Sequence, residues 1–309
     1  NDLEGKITKI NLSNNTKGYS GGSLQTGVTS LYDQTTLFNL KANEDNGRYS
    51  YFSMDAGLGV TDGGFWLFGS TGNFTDLGGR ASTLDNILYG VEDLHYPYWK
   101  HLNGVEIPKA VAVPGAVPMI IDGEILKLAN QGASDAANID DSTICIDASG
   151  GRTGNCPLPD AASSWVVHLE KDGSNSFTSP RTYRKASAPP TLFNGQVYFP
   201  IYQPPPNTNR CDQGNAFICA ADDECGTNTS GKLDLQLNPV DDDGIAIDNP
   251  NANACGFVRK GILSELVIFG AKLYANVAGP SDDESTLFSI LSIPGEIITN
   301  KGGWRDSSF

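Results

Sequence analysis

One short hairpin pattern recurs along the chain and constrains its fold more than any other feature. Each copy has two apolar residues, a two-residue turn, one polar residue and two more apolar residues, at 120–126, 192–198 and 268–274. The spacings are 72 and 76 residues. The turns Asp122-Gly123, Asn194-Gly195 and Gly270-Ala271 suit the type I′ and II′ conformations that join antiparallel strands. The pattern predicts three β-hairpins built as one repeated unit.

Further strands fill the intervals between these hairpins. A looser fourth copy has a longer turn between Gly59-Val60 and 65–68, and other apolar runs predict strands at 6–12, 87–91, 165–169, 217–220 and 287–291. A hairpin about every 60 to 76 residues with extra strands between copies is typical of a β-propeller with long loops. We therefore predict an all-β fold, a propeller with about four blades in this chain as part of a larger ring. A sandwich or barrel also contains such hairpins and remains the alternative.

The cysteines predict an oxidising compartment. All six lie between residues 145 and 255, in loop-rich sequence: Cys145, Cys156, Cys211, Cys219, Cys225 and Cys255. An even set of this kind predicts disulfides that brace surface insertions near 130–163 and 203–257. Cys145 and Cys156 flank a Gly-rich segment and are natural partners, whereas the other four allow three pairings. A zinc site is the competing interpretation, but the chain lacks a CxxC pair with nearby histidines.

Charge and hydropathy exclude several classes of partner. The formal net charge is −15 and the pI is near 4.5, so phosphate backbones and anionic lipid headgroups are repelled. No apolar run is long enough to span a bilayer. The chain begins at Asn1 rather than Met, which indicates a processed or truncated polypeptide. We expect an extracellular or cell-surface protein that binds no nucleic acid.

Calcium is the one cofactor for which the acidic loops supply candidate ligands. Carboxylates cluster at 222–224, at 241–243 with Asp248 following, and at 282–284. The middle cluster is most similar to a calcium loop, with Asp241, Asp243 and Asp248 as candidate ligands. An EF-type alignment on Gly244 would place Pro239 and Pro250 at the first and last ligand positions, and neither has a side-chain oxygen. Solvated loop acid is therefore the favoured interpretation of this cluster, and calcium binding is the alternative.

Catalytic motifs are not recognisable in the chain. It contains neither GxSxG nor HExxH, and His95, His101 and His168 are expected to be packing or surface residues. We predict that the protein is not an enzyme. The aromatic cluster Tyr96, Tyr98 and Trp99 is the candidate binding site because Tyr and Trp are enriched at interface hot spots. Burial of this cluster within a blade is the alternative.

Taken in order, several segments resemble the C-terminal propeller domain of PilY-type type IV pilus tip proteins. Residues 1–12 are similar to the "GDLxGNxWRFDL" strand of that family, with Asn1, Lys6 and Thr8 in place of its glycine, asparagine and tryptophan. The other segments are 36–38 ("LF"), 65–74 ("VLFGTGKYL"), 86–93 ("YGIWD"), 164–169 ("GWYLDL"), 190–199 ("PVVLNGVVYFTT"), 261–264 ("GIxS") and 303–306 ("WRE"). The resemblance spans the chain.

This resemblance implies that residues 1–309 are the C-terminal portion of a propeller domain at a pilus tip. It implies a pilus assembly factor and adhesin, exported through the periplasm. The implied partners are minor pilins or the tip complex, the N-terminal part of the same protein or another chain, and a host or surface ligand. The family's calcium loop lies immediately before the position of Asn1, so no calcium ligand is transferred.

Two other functions stay open. A propeller of the quinoprotein dehydrogenase type would hold a quinone and calcium near the ring axis, and the purified protein would then have a chromophore. Alternatively, the chain is a structural subunit that completes a ring with another polypeptide.

Overall fold

The structure, a computed structural model, describes residues 5–12, 17–20, 23–26, 31–32, 34–40, 42–59, 64–93, 96, 118–121, 124–127, 164–170, 177, 179–193, 195–206, 213–224, 226, 255–269, 272–279 and 287–292. These residues form antiparallel β-strands, one 3-10 helix at Phe74–Asp76, and no α-helix. The prediction of an all-β fold is confirmed. No helix in these ranges is long and apolar enough to cross a membrane.

The first half of the chain forms a ribbon, one four-stranded sheet and two further strand pairs. The strands are β1 (Lys6–Ile10), β2 (Lys17–Ser20), β3 (Ser23–Thr26), β4 (Gln34–Asn39), β5 (Asp55–Leu58), β6 (Phe65–Ser70), β7 (Ile87–Glu92), β8 (Pro118–Ile121), β9 (Glu124–Lys127) and β10 (Ser164–His168). β1 pairs with β4 as the N-terminal ribbon, and sheet I has the order β10-β7-β6-β5. β2 pairs with β3, and the β8–β9 hairpin lies beside β4.

The second half forms two further sheets. Their strands are β11 (Lys185–Ala186), β12 (Thr191–Phe193), β13 (Gln196–Gln203), β14 (Asn215–Asp222), β15 (Cys255–Lys260), β16 (Ile262–Leu263), β17 (Val267–Phe269), β18 (Lys272–Ala278) and β19 (Leu287–Ser292). Sheet II contains β11 to β15, and sheet III contains β16 to β19. β14 and the start of β15 lie within the predicted insertion at 203–257, and its residues 207–212 and 227–254 lie outside the described residues.

All three predicted hairpins are present, as β8–β9, β12–β13 and β17–β18. Gly195 has a φ of +77°, a conformation that glycine adopts without the steric cost of a Cβ atom. The fourth hairpin is β5–β6, but its first strand ends at Leu58, before the predicted Gly59-Val60. The other predicted strands correspond to β1, β7, β10, β14 and β19, with bounds shifted by two residues or fewer.

Sheets II and III share a repeated feature that the hairpin pattern did not predict, a first strand split into two. β11 and β12 both pair with β13, and β16 and β17 both pair with β18. In sheet II the split contains Pro189 and Pro190, which have no N–H to donate to a ladder. Sheet I has a related arrangement. Tyr49 lies in the segment before β5, and its backbone O accepts a hydrogen bond at 2.9 Å from the N–H of Gly72, which follows β6.

Sheet II is covered on both faces, which explains its almost uninterrupted apolar strands. Alternate residues of β13 and β14 point to opposite sides. One side joins sheet I in a core of Trp66, Phe68, Leu88, Trp165, Leu169, Val197, Phe199, Ile201, Phe217, Cys219, Ala221 and Cys255. The other side joins sheet III in a core of Tyr198, Ala216, Ile218, Ala220, Leu263, Leu266, Leu273, Ala275 and Val277.

The sheets thus follow one another in a row, packed face to face. Lys9 of the N-terminal ribbon forms an ion pair with Asp93 after β7, at 2.5 Å. The Leu192 N–H of sheet II donates to Asp55 Oδ2 of sheet I at 2.6 Å. The described residues show a row and not a closed ring, so the propeller and its blade count remain predictions.

Candidate functional site

The predicted binding cluster is represented by Tyr96, which lies on the surface. Its ring stacks on Phe65 with the centroids 4.6 Å apart and the planes at 20°. Tyr96 is 50% exposed, and Leu58, paired with Phe65 across β5 and β6, is 59% exposed. We call Leu58, Phe65 and Tyr96 the Tyr96 surface. Tyr98 and Trp99 lie outside the described residues, so the predicted grouping of all three remains a prediction.

Backbone contacts hold Tyr96 at the end of sheet I. The Asp93 N–H donates to Phe65 O at 2.7 Å, and the Tyr96 N–H donates to Asp93 O at 2.9 Å. The Asp93 side chain is buried and paired with Lys9. A stacked aromatic ring fixed in this way offers a large contact area with little loss of conformational entropy on binding.

A second aromatic pair was missed from the sequence. Phe52 and Phe74 meet edge to face, with their centroids 5.2 Å apart. Phe74 is exposed and begins the 3-10 helix, whose first turn is capped when Asn73 Oδ1 accepts the Thr75 N–H at 3.1 Å. The Asn-Phe-Thr-Asp sequence is a local turn signal that could have located this exposed ring.

Buried polar groups lie at the other end of sheet I, where β7 begins and β10 ends. His168 is buried, and its Nδ1 lies 2.5 Å from Asp85 Oδ1. The other Asp85 carboxylate oxygen accepts from Arg48 Nη2, and Arg48 Nε donates to Asp85 O at 2.8 Å. This network joins the segment before β5 to β7 and β10. His168 is therefore a packed, hydrogen-bonded residue, as predicted.

Glu170 organises the segment that leads into sheet II. Its buried carboxylate accepts hydrogen bonds from the Thr182 N–H (3.0 Å), the Thr182 hydroxyl (2.5 Å) and the Arg184 N–H (2.9 Å), and pairs with Arg181 Nε at 3.2 Å. The Arg184 guanidinium lies 4.3 Å from the centre of the Phe217 ring. Burial lowers the pKa of Arg184 to about 10, against the opposing attraction of Glu170. These contacts fasten sheet I to sheet II.

Lys185 is a buried cation held by backbone carbonyls. Its Nζ donates to Asp76 O at 2.9 Å and to Gly79 O at 3.1 Å, beneath the 3-10 helix. Burial lowers the pKa of Lys185 to about 8, although Asp76 acts in the opposite direction. The helix that presents Phe74 is thus anchored to the first strand of sheet II.

The lowered pKa of Lys185 predicts a pH dependence of stability. Between pH 8 and 10.5 the unfolded state binds more protons at this residue than the folded state, so the free energy of unfolding rises with pH. Burial raises the pKa of Tyr198 to about 12, which reverses the trend above about pH 10 because unfolded tyrosine ionises there. The free energy of unfolding, measured with urea, should therefore rise with pH in the unmodified chain relative to that of Lys185→Met between pH 7 and about 9.5. A difference in the free energy of unfolding that stays constant with pH would contradict the lowered pKa of Lys185.

The carboxylates at 222–224 form no solvated loop. Asp222, Asp223 and Glu224 are buried at the end of β14. Gln196 Nε2 donates to Asp222 Oδ1 at 3.2 Å, and Trp165 Nε1 donates to Asp223 O at 2.7 Å. Within the described ranges, no three or more His, Cys, Asp or Glu residues are grouped to hold a metal ion. The candidate calcium ligands Asp241, Asp243 and Asp248 lie outside those ranges, so calcium remains a prediction.

One disulfide is present and decides a pairing that the sequence left open. Cys219 of β14 is bonded to Cys255 of β15, and the two residues are direct partners in the strand register. Both belong to the core between sheets I and II. The remaining four cysteines, including the predicted Cys145–Cys156 pair, lie outside the described residues.

These features define a class of protein: an all-β chain of repeated, face-packed antiparallel sheets with a buried disulfide and an exposed aromatic surface. No protein-family model matches the chain, and no curated protein matches it. A solved structure that is similar is the PilY1 C-terminal domain of Pseudomonas aeruginosa, at 10% sequence identity and a TM-score of 0.44. The alignment covers 90% of this chain and 55% of that domain, so the chain spans about half its length. This is the family that the ordered sequence segments resemble.

Proposed function

We propose that this chain is a non-catalytic recognition protein of the PilY type, which acts at a type IV pilus tip in assembly and attachment. In this proposal the row of sheets belongs to a β-propeller. The Tyr96 surface contacts minor pilins or another component of the tip complex.

The observation that carries the proposal is the position of the family-like segments in the fold. In chain order they coincide with β1, β4, β6, β7, β10, the β12–β13 hairpin and β16, and the closing 303–306 lies outside the described residues. The strand-forming segments therefore supply the ribbon and all three sheets, in the order that the family pattern requires. Each of the segments that the structure describes contains a strand, and the segments keep the family order along the chain.

The disulfide supports a location outside the cytoplasm. Bonds of this kind persist in the periplasm and on cell surfaces, whereas thiols are kept reduced in the cytosol. Cys219–Cys255 is buried between two sheets and serves structure rather than redox exchange. Export through the periplasm would supply the oxidising conditions in which the bond forms.

The Tyr96 surface supports recognition by protein contact. Tyrosine is among the residues that dominate binding energy at interfaces, and here its ring is already fixed against Phe65. Leu58 beside it adds apolar area that a partner can cover. The backbone hydrogen bonds around Asp93 hold this surface in one conformation before binding.

The binding test uses purified minor-pilin complex from the same source, measured by biolayer interferometry. Tyr96→Ala should weaken binding by about tenfold or more, the effect of removing an interface hot spot. Its melting temperature should stay nearly unchanged because the side chain is half exposed. Phe74→Ala, a second exposed aromatic residue, is the matched control and should bind normally. Equal loss in both variants, or no loss in Tyr96→Ala, would reject the surface.

The absence of catalysis is also a proposal and has its own test. A quinoprotein dehydrogenase would carry a quinone that absorbs light above the aromatic band. We expect the purified protein to have no such absorption, in either the presence or the absence of added calcium. A chromophore that co-purifies would favour the enzyme.

A further inference from the structure

One side chain of the N-terminal ribbon reaches the segment that carries Tyr96. Lys9 lies on β1, two residues after the buried Ile7, so both side chains point to the same side of the strand. The Lys9 ammonium lies 2.5 Å from Oδ2 of Asp93, which follows β7 in sheet I. Ile10, on the other side of β1, is exposed. The ribbon therefore presents Lys9 to sheet I from its buried side.

Asp93 joins this ion pair to both rings of the Tyr96 surface. Its carboxylate pairs with Lys9, its N–H donates to Phe65 O at 2.7 Å, and its O accepts the Tyr96 N–H at 2.9 Å. The rings of Phe65 and Tyr96 stack on each other. A movement of the Asp93 side chain is therefore transmitted to the stacked rings through a single backbone unit.

The ion pair is largely enclosed by protein. The exposed fraction of the side chain is 4% for Asp93 and 20% for Lys9. Surface ion pairs contribute little because water screens both charges, but removal of one partner from a buried pair leaves a charge that is poorly solvated. Loss of the Lys9 ammonium should therefore draw the Asp93 carboxylate toward water. The Asp93 backbone, and with it both hydrogen bonds to the Tyr96 surface, would shift as a result.

We infer that Lys9 is a positioning residue for the Tyr96 surface, and that docking of the N-terminal ribbon fixes Tyr96 in its place at the end of sheet I. A partner of the Tyr96 surface then binds most tightly when the ribbon is docked, because a conformation that is only partly populated binds with reduced apparent affinity. The effect on binding rests on the function proposed above, whereas the effect on the position of Tyr96 does not.

The position of Tyr96 is measured without any partner, by amide hydrogen exchange resolved by NMR. The Tyr96 N–H is protected by its bond to Asp93 O, and local opening of this turn exposes it to exchange. Lys9→Met keeps the apolar part of the side chain and removes the charge. The protection of the Tyr96 amide should then fall about tenfold or more. Lys9→Arg keeps a cation at this position and should retain the protection.

Arg48→Met is the matched control for loss of a buried cation. Arg48 pairs with Asp85 at the other end of sheet I, and their side chains are 19% and 8% exposed, close to the values for Lys9 and Asp93. This variant should leave the Tyr96 amide protected. The double variant Lys9→Met/Asp93→Asn should lose no more protection than Lys9→Met alone, because both changes remove the same interaction.

Binding of the minor-pilin complex is measured with the same variants. Lys9→Met should weaken binding about threefold or more, but less than Tyr96→Ala, because the ring is displaced and not removed. Unchanged Tyr96 protection in Lys9→Met, or an equal loss in Arg48→Met, would overturn the inference whatever the binding result. Normal binding of Lys9→Met where Tyr96→Ala binds weakly would also overturn it. A loss of Tyr96 protection in Lys9→Met together with normal binding of Tyr96→Ala would support the positioning role and reject the proposed binding surface.

Discussion

Replacement of Trp165 by alanine is expected to lower the free energy of unfolding by about 3–5 kcal/mol, the range for a large aromatic side chain removed from a core. Trp165 is fully buried where sheet I meets sheet II. Its ring centroid is 6.3 Å from that of Phe68 on its own sheet and 6.3 Å from that of Phe199 on sheet II. Denaturant unfolding followed by circular dichroism measures the loss.

The surrounding backbone explains why the loss should be large. An ideal Cβ at Gly90 or Gly226 would come within 2.4 and 2.5 Å of the indole, so both glycines are close-packed against the ring. Gly226 also has a φ of +68°, which holds the turn after β14 in a conformation suited to glycine. A cavity at this position is bordered by backbone that cannot easily collapse into it.

Trp165→Phe separates packing from hydrogen bonding. Phenylalanine retains much of the aromatic volume but has no N–H to donate to Asp223 O, so we expect a loss of about 1–3 kcal/mol. The alanine variant should be clearly less stable than the phenylalanine variant. An alanine variant that loses under about 1 kcal/mol would show that the indole does not join the sheets as described.

Removal of the Cys219–Cys255 disulfide is expected to cost about 4 kcal/mol. The bond closes a loop with a sequence separation of 36 residues, and chain-entropy estimates for loops of this size give that magnitude. The double variant Cys219→Ala/Cys255→Ala should therefore unfold at a distinctly lower denaturant concentration. Because β14 and β15 are also joined by backbone hydrogen bonds, we expect the variant to remain folded at low temperature.

Single variants provide the control for this experiment. Cys219→Ala alone abolishes the bond, so it should lose nearly as much stability as the double variant. Peptide mapping under non-reducing conditions should join the peptides that contain Cys219 and Cys255. Unchanged unfolding of the double variant, or a map that pairs Cys219 with Cys211 or Cys225, would contradict the assignment.

The hairpins were predictable because their determinants are local. Asn194-Gly195 specifies a tight turn through its own backbone preferences, and Val197 and Tyr198 beside it prefer extended conformations. The central part of β14 in sheet II was predictable in the same way, because it is a continuous apolar run. The split first strands were missed because β11 and β16 have two residues each, too few to show a period, although Pro189-Pro190 was an available signal.

The candidate site was only partly predictable. Tyr96 was chosen for its residue type, but surface exposure and burial were equally compatible with its sequence. Its stacking on Phe65 depends on where the end of β7 meets the β5–β6 hairpin. The carboxylates at 222–224 show the same difficulty: an acidic run typical of a solvated loop is buried because Trp165 and Gln196 hydrogen-bond to it.

The sequence by itself determined the all-β class, the hairpins, the short strands and the even set of cysteines, because turn chemistry and period-2 patterning act over a few residues. The tertiary structure alone decided which partners meet across long separations. Asp85 and His168 are 83 residues apart in the chain, and Cys219 and Cys255 are 36 apart. Such pairs form only when strands that are distant in the chain pair in one register: His168 on β10 lies beside the start of β7, which follows Asp85, and Cys219 on β14 lies opposite Cys255 on β15.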